Sequence, residues 1–267
     1  MRFWRAYLCG ERLRARRGDV KFQAILGTLV GGLLLTPMPV FAGDKDKVKD
    51  AAAAVDSGSF GVFMNGRRVA TETFSIQQGP TGSVIASQFK TEEGVDPSLQ
   101  TSELQLTPGG EIRKYEWKEL GPGKAQATVA PNADFLLEHV SLGPGKGEDQ
   151  PFLLPASTNI LDDYFFIHRE VLVWRYLSTA CKQEGGAVQC PAGQKTQLGT
   201  LNPHQRSSTP VSVEFTGRDK VPIRGSQREL NKFILRSEGG EWTMWLDDHF
   251  KLQRIVVASD NTEVVRD

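Results

Sequence analysis

From Phe60 onward, apolar and polar residues alternate in short runs separated by turn residues. Phe60, Val62 and Met64 share one face of the first run, and Asn65-Gly66 follows. In the next run Ala70, Glu72, Phe74 and Ile76 share a face, opposite Val69, Thr71 and Thr73. Period-two alternation marks a half-buried strand. Asn-Gly between two such runs predicts a hairpin, because both central turn positions need positive φ. The pattern recurs at 83–91, 98–107 and 111–120, with Gly79-Pro80-Thr81-Gly82 and Pro108-Gly109-Gly110 as turns. Further strands are expected at 211–216, 233–237, 242–246 and 252–258, with Gly239-Gly240 and Asp247-Asp248 at the turns, whereas the polar stretch 194–210 reads as a loop.

One segment departs from this period. Over 160–177, Leu161, Tyr164, Phe165, His168 and Leu172 fall on one helical face. Ser157, Thr158 and Asn159 offer a cap, and Asp162-Asp163 would sit in the first turn, where acids complement the helix dipole. Val171-Leu172-Val173-Trp174 within it also fits a strand. Many strands, one helix, then more strands predict a mainly β protein built on an antiparallel sheet.

The N-terminus is of a different kind. Six arginines and Lys21 precede Ala24, no charge follows until Asp44, and Val40-Phe41-Ala42 ends the stretch with small residues where a signal peptidase would cut. That layout predicts an export signal over 1–42 and a periplasmic or secreted protein starting near Gly43. A permanent membrane anchor is the competing reading, weakened by Pro37, Pro39 and four glycines. Residues 43–58, small and charged, are expected to form a flexible leader, and 59–267 the β domain.

Composition narrows the function. The whole chain carries 32 basic and 32 acidic residues, and removing 1–42 leaves 25 against 30. The basic footprint of a nucleic-acid binder is missing. Cys181 and Cys190 remain beyond the signal, and an even count in an exported chain predicts a disulfide. Leu120-Gly121-Pro122-Gly123-Lys124 recurs at 142–146, but the glycine spacing and the residue after each lysine do not make a phosphate loop, so both copies read as turns. No catalytic elbow or His-Glu-x-x-His is present, and no cofactor is expected. Asp247-Asp248-His249 has metal-ligating atoms, although a charged turn explains it more simply. Aromatics concentrate at Tyr164, Phe165, Trp174, Trp242 and Trp245, with Trp242 and Trp245 on opposite faces of one strand. These five and His168 are the candidate ligand-binding residues; core packing is the competing reading, and for His168 a place in the core is the simpler one.

Two stretches carry a family resemblance: the first hairpin, Val62-Phe63-Met64-Asn65-Gly66 with Val69-Ala70-Thr71-Glu72-Thr73-Phe74, and the last, Trp242 to Asp248 running into Leu252 to Val257. Their order resembles the lipoprotein-carrier-like fold. That resemblance implies a single highly curved antiparallel sheet, a half-barrel, wrapping one main helix and enclosing an apolar pocket. It supplies no catalytic residue. Three functional classes stay open: a carrier for an acyl chain or other apolar ligand; an envelope hydrolase using His168, Asp162 or Asp163, and Glu170; or an assembly protein that pairs its sheet edges with an envelope protein.

Overall fold

The computed structural model describes residues 52–143, 145, 147–184 and 187–267. The expected export signal and residues 43–51 of the expected leader lie outside these. The described chain opens with eight strands in succession: β1 (Ala53–Met64), β2 (Arg67–Gly79), β3 (Gly82–Thr91), β4 (Leu99–Leu106), β5 (Ile112–Gly121), β6 (Gln126–Asn132), β7 (Phe135–Ser141) and β8 (Glu148–Phe152). A two-residue strand, β9 (Asn159–Ile160), leads to the helix α1 (Ile167–Ala180). A small hairpin of β10 (Lys182–Glu184) and β11 (Ala187–Gln189) follows. The chain ends with β12 (Lys195–Asn202), β13 (Ser207–Ile223), β14 (Ser226–Ser237), β15 (Gly240–Leu246), β16 (Leu252–Val257) and β17 (Thr262–Arg266).

All strands but β10 and β11 join one curved, open sheet of fifteen, in the order β8 back to β1, then β17 back to β12, then β9. It is therefore two meanders joined where the first and last strands pair, Phe60 with Arg266 through Met64 with Thr262. Every pairing is antiparallel except β9 with β12. The expected half-barrel around one helix is observed.

Local chemistry explains much of this. Asn65 and Gly66 both have positive φ, 51° and 76°, as the first hairpin requires. Gly82 has a φ of 131°, and a Cβ there would stand 1.9 Å from the Leu106 carbonyl oxygen, so the β2–β3 turn admits no side chain. Alternation then sorts the faces. Ile76, Ile85, Leu104, Tyr115 and Val129 are aligned across β2 to β6 by register, and all are buried. Burial of such side chains is the main force holding the curved sheet together.

Three expectations are corrected. The leader is not flexible up to residue 58: β1 starts at Ala53, and buried Asp56 is held by two Arg266 bonds of 2.7 and 2.9 Å and by Lys251 at 3.2 Å. The polar stretch 194–210 is not a loop but holds all of β12 and the start of β13; its Leu198, Thr200 and Leu201 are buried, and its polar side chains lie largely at the surface. The helix starts at Ile167 rather than near 160, and it runs to Ala180. Asn159 and Ile160 pair with β12, which draws them out of any cap. The acceptor at the helix start is Glu72 of β2, whose carboxylate takes the backbone N–H of Phe166 at 2.7 Å and of Ile167 at 3.3 Å.

Candidate functional site

Six candidate binding residues were read from the sequence, and the fold scatters them. Phe165 and His168 are fully buried near the start of α1. Tyr164, half-buried, sets its ring 5.6 Å from Phe89 and 4.6 Å from His204. Trp242 faces the concave side, where the Arg169 guanidinium lies 4.4 Å over its ring. Trp245 faces the other way, in a separate cluster with Val221, Ile223 and Leu230 that forms where the long β13–β14 hairpin reaches past the sheet. The expected opposition of the two tryptophans is observed. Of the six, Trp174 lines a pocket.

That pocket, of about 270 Å³, opens beside the second half of α1. Leu104, Leu106, Ile160, Val171, Leu172 and Trp174 make its apolar walls, with Arg175 among the polar groups around it. The Trp174 indole N–H donates to the Phe250 carbonyl at 2.8 Å, which fixes the ring between the pocket and the β15–β16 turn. Just past the helix, Cys181 and Cys190 form the expected disulfide, with Cα atoms 4.5 Å apart, and it clamps the base of the β10–β11 hairpin. None of Leu104, Leu106, Ile160 or Val171 carried a sequence signal beyond being apolar, because a pocket is made by what the chain leaves unfilled.

The first half of α1 lies among buried charges. The Asp162 carboxylate, fully buried, accepts the Tyr115 hydroxyl at 2.7 Å and lies 2.6 Å from His204 Nδ1. His204 Nε2 lies 2.8 Å from the Gln100 side-chain oxygen, and its ring stacks on Trp117 at 3.9 Å. Each ring nitrogen thus faces a side-chain oxygen. Burial alone would raise the Asp162 pKa, but His204, His168 and Tyr115 outweigh it and hold the group at about 2. Burial pushes the His168 pKa down to about 3, against the pull of Asp162. Neither His168 ring nitrogen has a hydrogen-bond partner among the described residues.

Two further carboxyls enter this interior from the sheet. Glu72, fully buried, also accepts the Ser87 hydroxyl at 2.7 Å; desolvation still dominates and lifts its pKa to about 7. Glu138 sits beside Val129 in the row that contains Tyr115, and burial lifts it to about 7 as well. Glu72 left a sequence signal: it shares the inward face of β2 with Ala70, Phe74 and Ile76. His204 left none, since it sits in an ordinary polar turn between β12 and β13.

The hydrolase candidates do not converge. Asp162 serves Tyr115 and His204, Asp163 accepts from Gln205, and Glu170 accepts the Leu252 N–H at 2.6 Å, while His168 bonds to none of them. The Asp247-Asp248-His249 turn spends its acids on structure: Asp247 accepts from the backbone N–H of His249 and Lys251, and Asp248 pairs with Arg218 at 2.7 Å.

No protein-family profile matches this chain, and no curated protein matches it significantly. Among solved structures, it is similar to a β-barrel-like protein of the domain of unknown function DUF1849 from Brucella abortus. The two share 8% identity at a TM-score of 0.50, over 79% of this chain and 94% of the other. At that identity the likeness concerns the fold alone.

Proposed function

We propose that this is an exported binding module that holds a small apolar or amphiphilic ligand in the pocket beside Trp174 and catalyses nothing. The observation that carries the reading is the pocket itself: a cleft of about 270 Å³ on the helix-bearing side of the sheet, walled by aliphatic side chains and one aromatic ring. Such a lining gains free energy when apolar surface leaves water. The disulfide fits an oxidising compartment, and no helix among the described residues is long and apolar enough to cross a membrane.

The resemblance to lipoprotein carriers suggests an acyl chain, and the volume argues for a short one. About 270 Å³ equals roughly nine water volumes at about 30 Å³ each. Burying about eight methylenes would contribute about 6 kcal/mol. Before association costs, this gain alone corresponds to a Kd between micromolar and millimolar, and those costs weaken it further. Catalysis draws less support, because both His204 nitrogens are engaged and His168 is desolvated. Edge pairing also draws less: β8 carries Glu148, Asp149 and Pro151, and β9 spans two residues, features that blunt strand addition.

The test is titration of the oxidised protein with decanol, followed by tryptophan fluorescence and calorimetry. Binding is expected to saturate at one equivalent, and Val171→Phe, which fills the pocket, is expected to abolish it. Absence of saturable binding, or binding untouched by Val171→Phe, overturns the reading.

A further inference from the structure

We infer that the ligand's polar end is anionic and is held by Arg175. The inference rests on the binding reading above and adds the chemical class of the ligand. Arg175 lies in the second half of α1, one residue after Trp174, and lines the same pocket. Its guanidinium is positioned rather than free: Nη1 donates to the Gly109 carbonyl at 3.0 Å. The same nitrogen lies 3.2 Å from where a Cβ on Gly110 would stand, so the group rests against the β4–β5 turn, whose glycines leave it room.

A guanidinium has five N–H donors in a fixed fork, and the turn uses one. Among the described residues no carboxylate forms an ion pair with Arg175, whereas other arginines of this domain have one: Arg68 with Asp267, Arg169 with Asp163, Arg206 with Glu148, Arg218 with Asp248, Arg236 with Glu214, Arg254 with Glu263 and Arg266 with Asp56. The remaining polar groups of the lining, among them Gln78, Ser83, Asn159 and Ser178, are neutral. The pocket therefore pairs apolar walls with one charge, which is positive and carries unused donors. That is the complement of an aliphatic chain ending in a carboxylate or phosphate, which a guanidinium grips through two parallel hydrogen bonds. A surface arginine that merely staples the β4–β5 turn would also make the Gly109 contact, and the experiment separates the two roles.

Decanol, decanoate and decyl phosphate are titrated into the wild type, Arg175→Gln and Arg175→Lys, with far-UV circular dichroism to confirm folding. One of the anions is expected to bind the wild type about tenfold or more tighter than decanol. Arg175→Gln should bring that anion down to the decanol level while leaving decanol unchanged, and Arg175→Lys should restore part of the difference. Which anion leads names the head group. Equal affinities for all three ligands in the wild type, or an anion preference that survives Arg175→Gln, overturns the role of Arg175 while the pocket stands. If decanol and both anions fail to bind the wild type, the binding reading fails and this inference falls with it.

Discussion

The two halves of α1 live in opposite surroundings. Its first turn, Ile167 to Glu170, is buried with Glu72, Asp162, His168 and Arg169, and Arg169 donates to the carbonyls of Asp162 and Phe165. Its later turns, with Val171, Leu172, Trp174 and Arg175, border an apolar pocket. Buried charges are tolerated only when their partners are placed to compensate them, so the first half is specified by many directional contacts at once. The second half lacks buried charges of this kind: Trp174 and Arg175 each donate to a backbone carbonyl, and there is room beside them. The helix is pinned by buried charges at one end, and the space for a ligand opens beside the other.

The largest effect should come from breaking the charged end. Asp162→Ala leaves the Tyr115 hydroxyl and His204 without their shared acceptor, a loss of the kind that costs about 3–5 kcal/mol when one partner of a buried pair is removed. Urea unfolding checks it. A cost under about 1 kcal/mol would mean that this end does not pin the helix.

A smaller effect is expected at the open end. Replacing Cys181 and Cys190 by serine releases a short loop and should cost about 2–3 kcal/mol in the chain-entropy view. Hydrogen exchange should show faster opening at the end of α1, near Ala180, and little change at Ile167. Equal loosening of both ends would contradict the division drawn here.

The third effect is graded by pH. Glu72 and Glu138 both have pKa values raised from 4.5 to about 7, so the folded state holds their protons more tightly than the unfolded chain does. Their contribution is full below about 4.5 and is lost as pH rises through about 7. His168 acts oppositely: its value falls from 6.5 to about 3, so its contribution is present above 6.5 and lost as pH falls towards 3. Between 4.5 and 6.5 these three groups leave one net proton taken up on folding, hence stability falling with rising pH by on the order of 1 kcal/mol per pH unit. Thermal unfolding across that range measures the slope, and the Glu72→Gln, Glu138→Gln double variant should flatten or reverse it. An unchanged slope would remove these two carboxyls from the account.

How legible all this was differs by element. The hairpin at Asn65-Gly66 and the strands at 83–91 and 242–246 announce themselves because alternation and turn chemistry act over a few residues. The disulfide was legible from the cysteine count together with the export signal expected over 1–42. The strand β12 was not, because its outer face is polar enough to mimic a loop. The helix start was displaced because its acceptor, Glu72, lies 94 residues upstream of Phe166.

By itself, the sequence determined the period of each segment, the turns between them and which side chains face inward, since these follow from backbone geometry and nearest neighbours. It did not determine what stands opposite each inward side chain. Tyr115, Asp162 and His204 meet because the sheet curves until β5, the approach to α1 and the β12–β13 turn come together. The pocket exists because α1, pinned at its charged end, fills only part of the concave side. Curvature and partial filling are properties of the closed packing as a whole, so tertiary structure alone decided where the site would be.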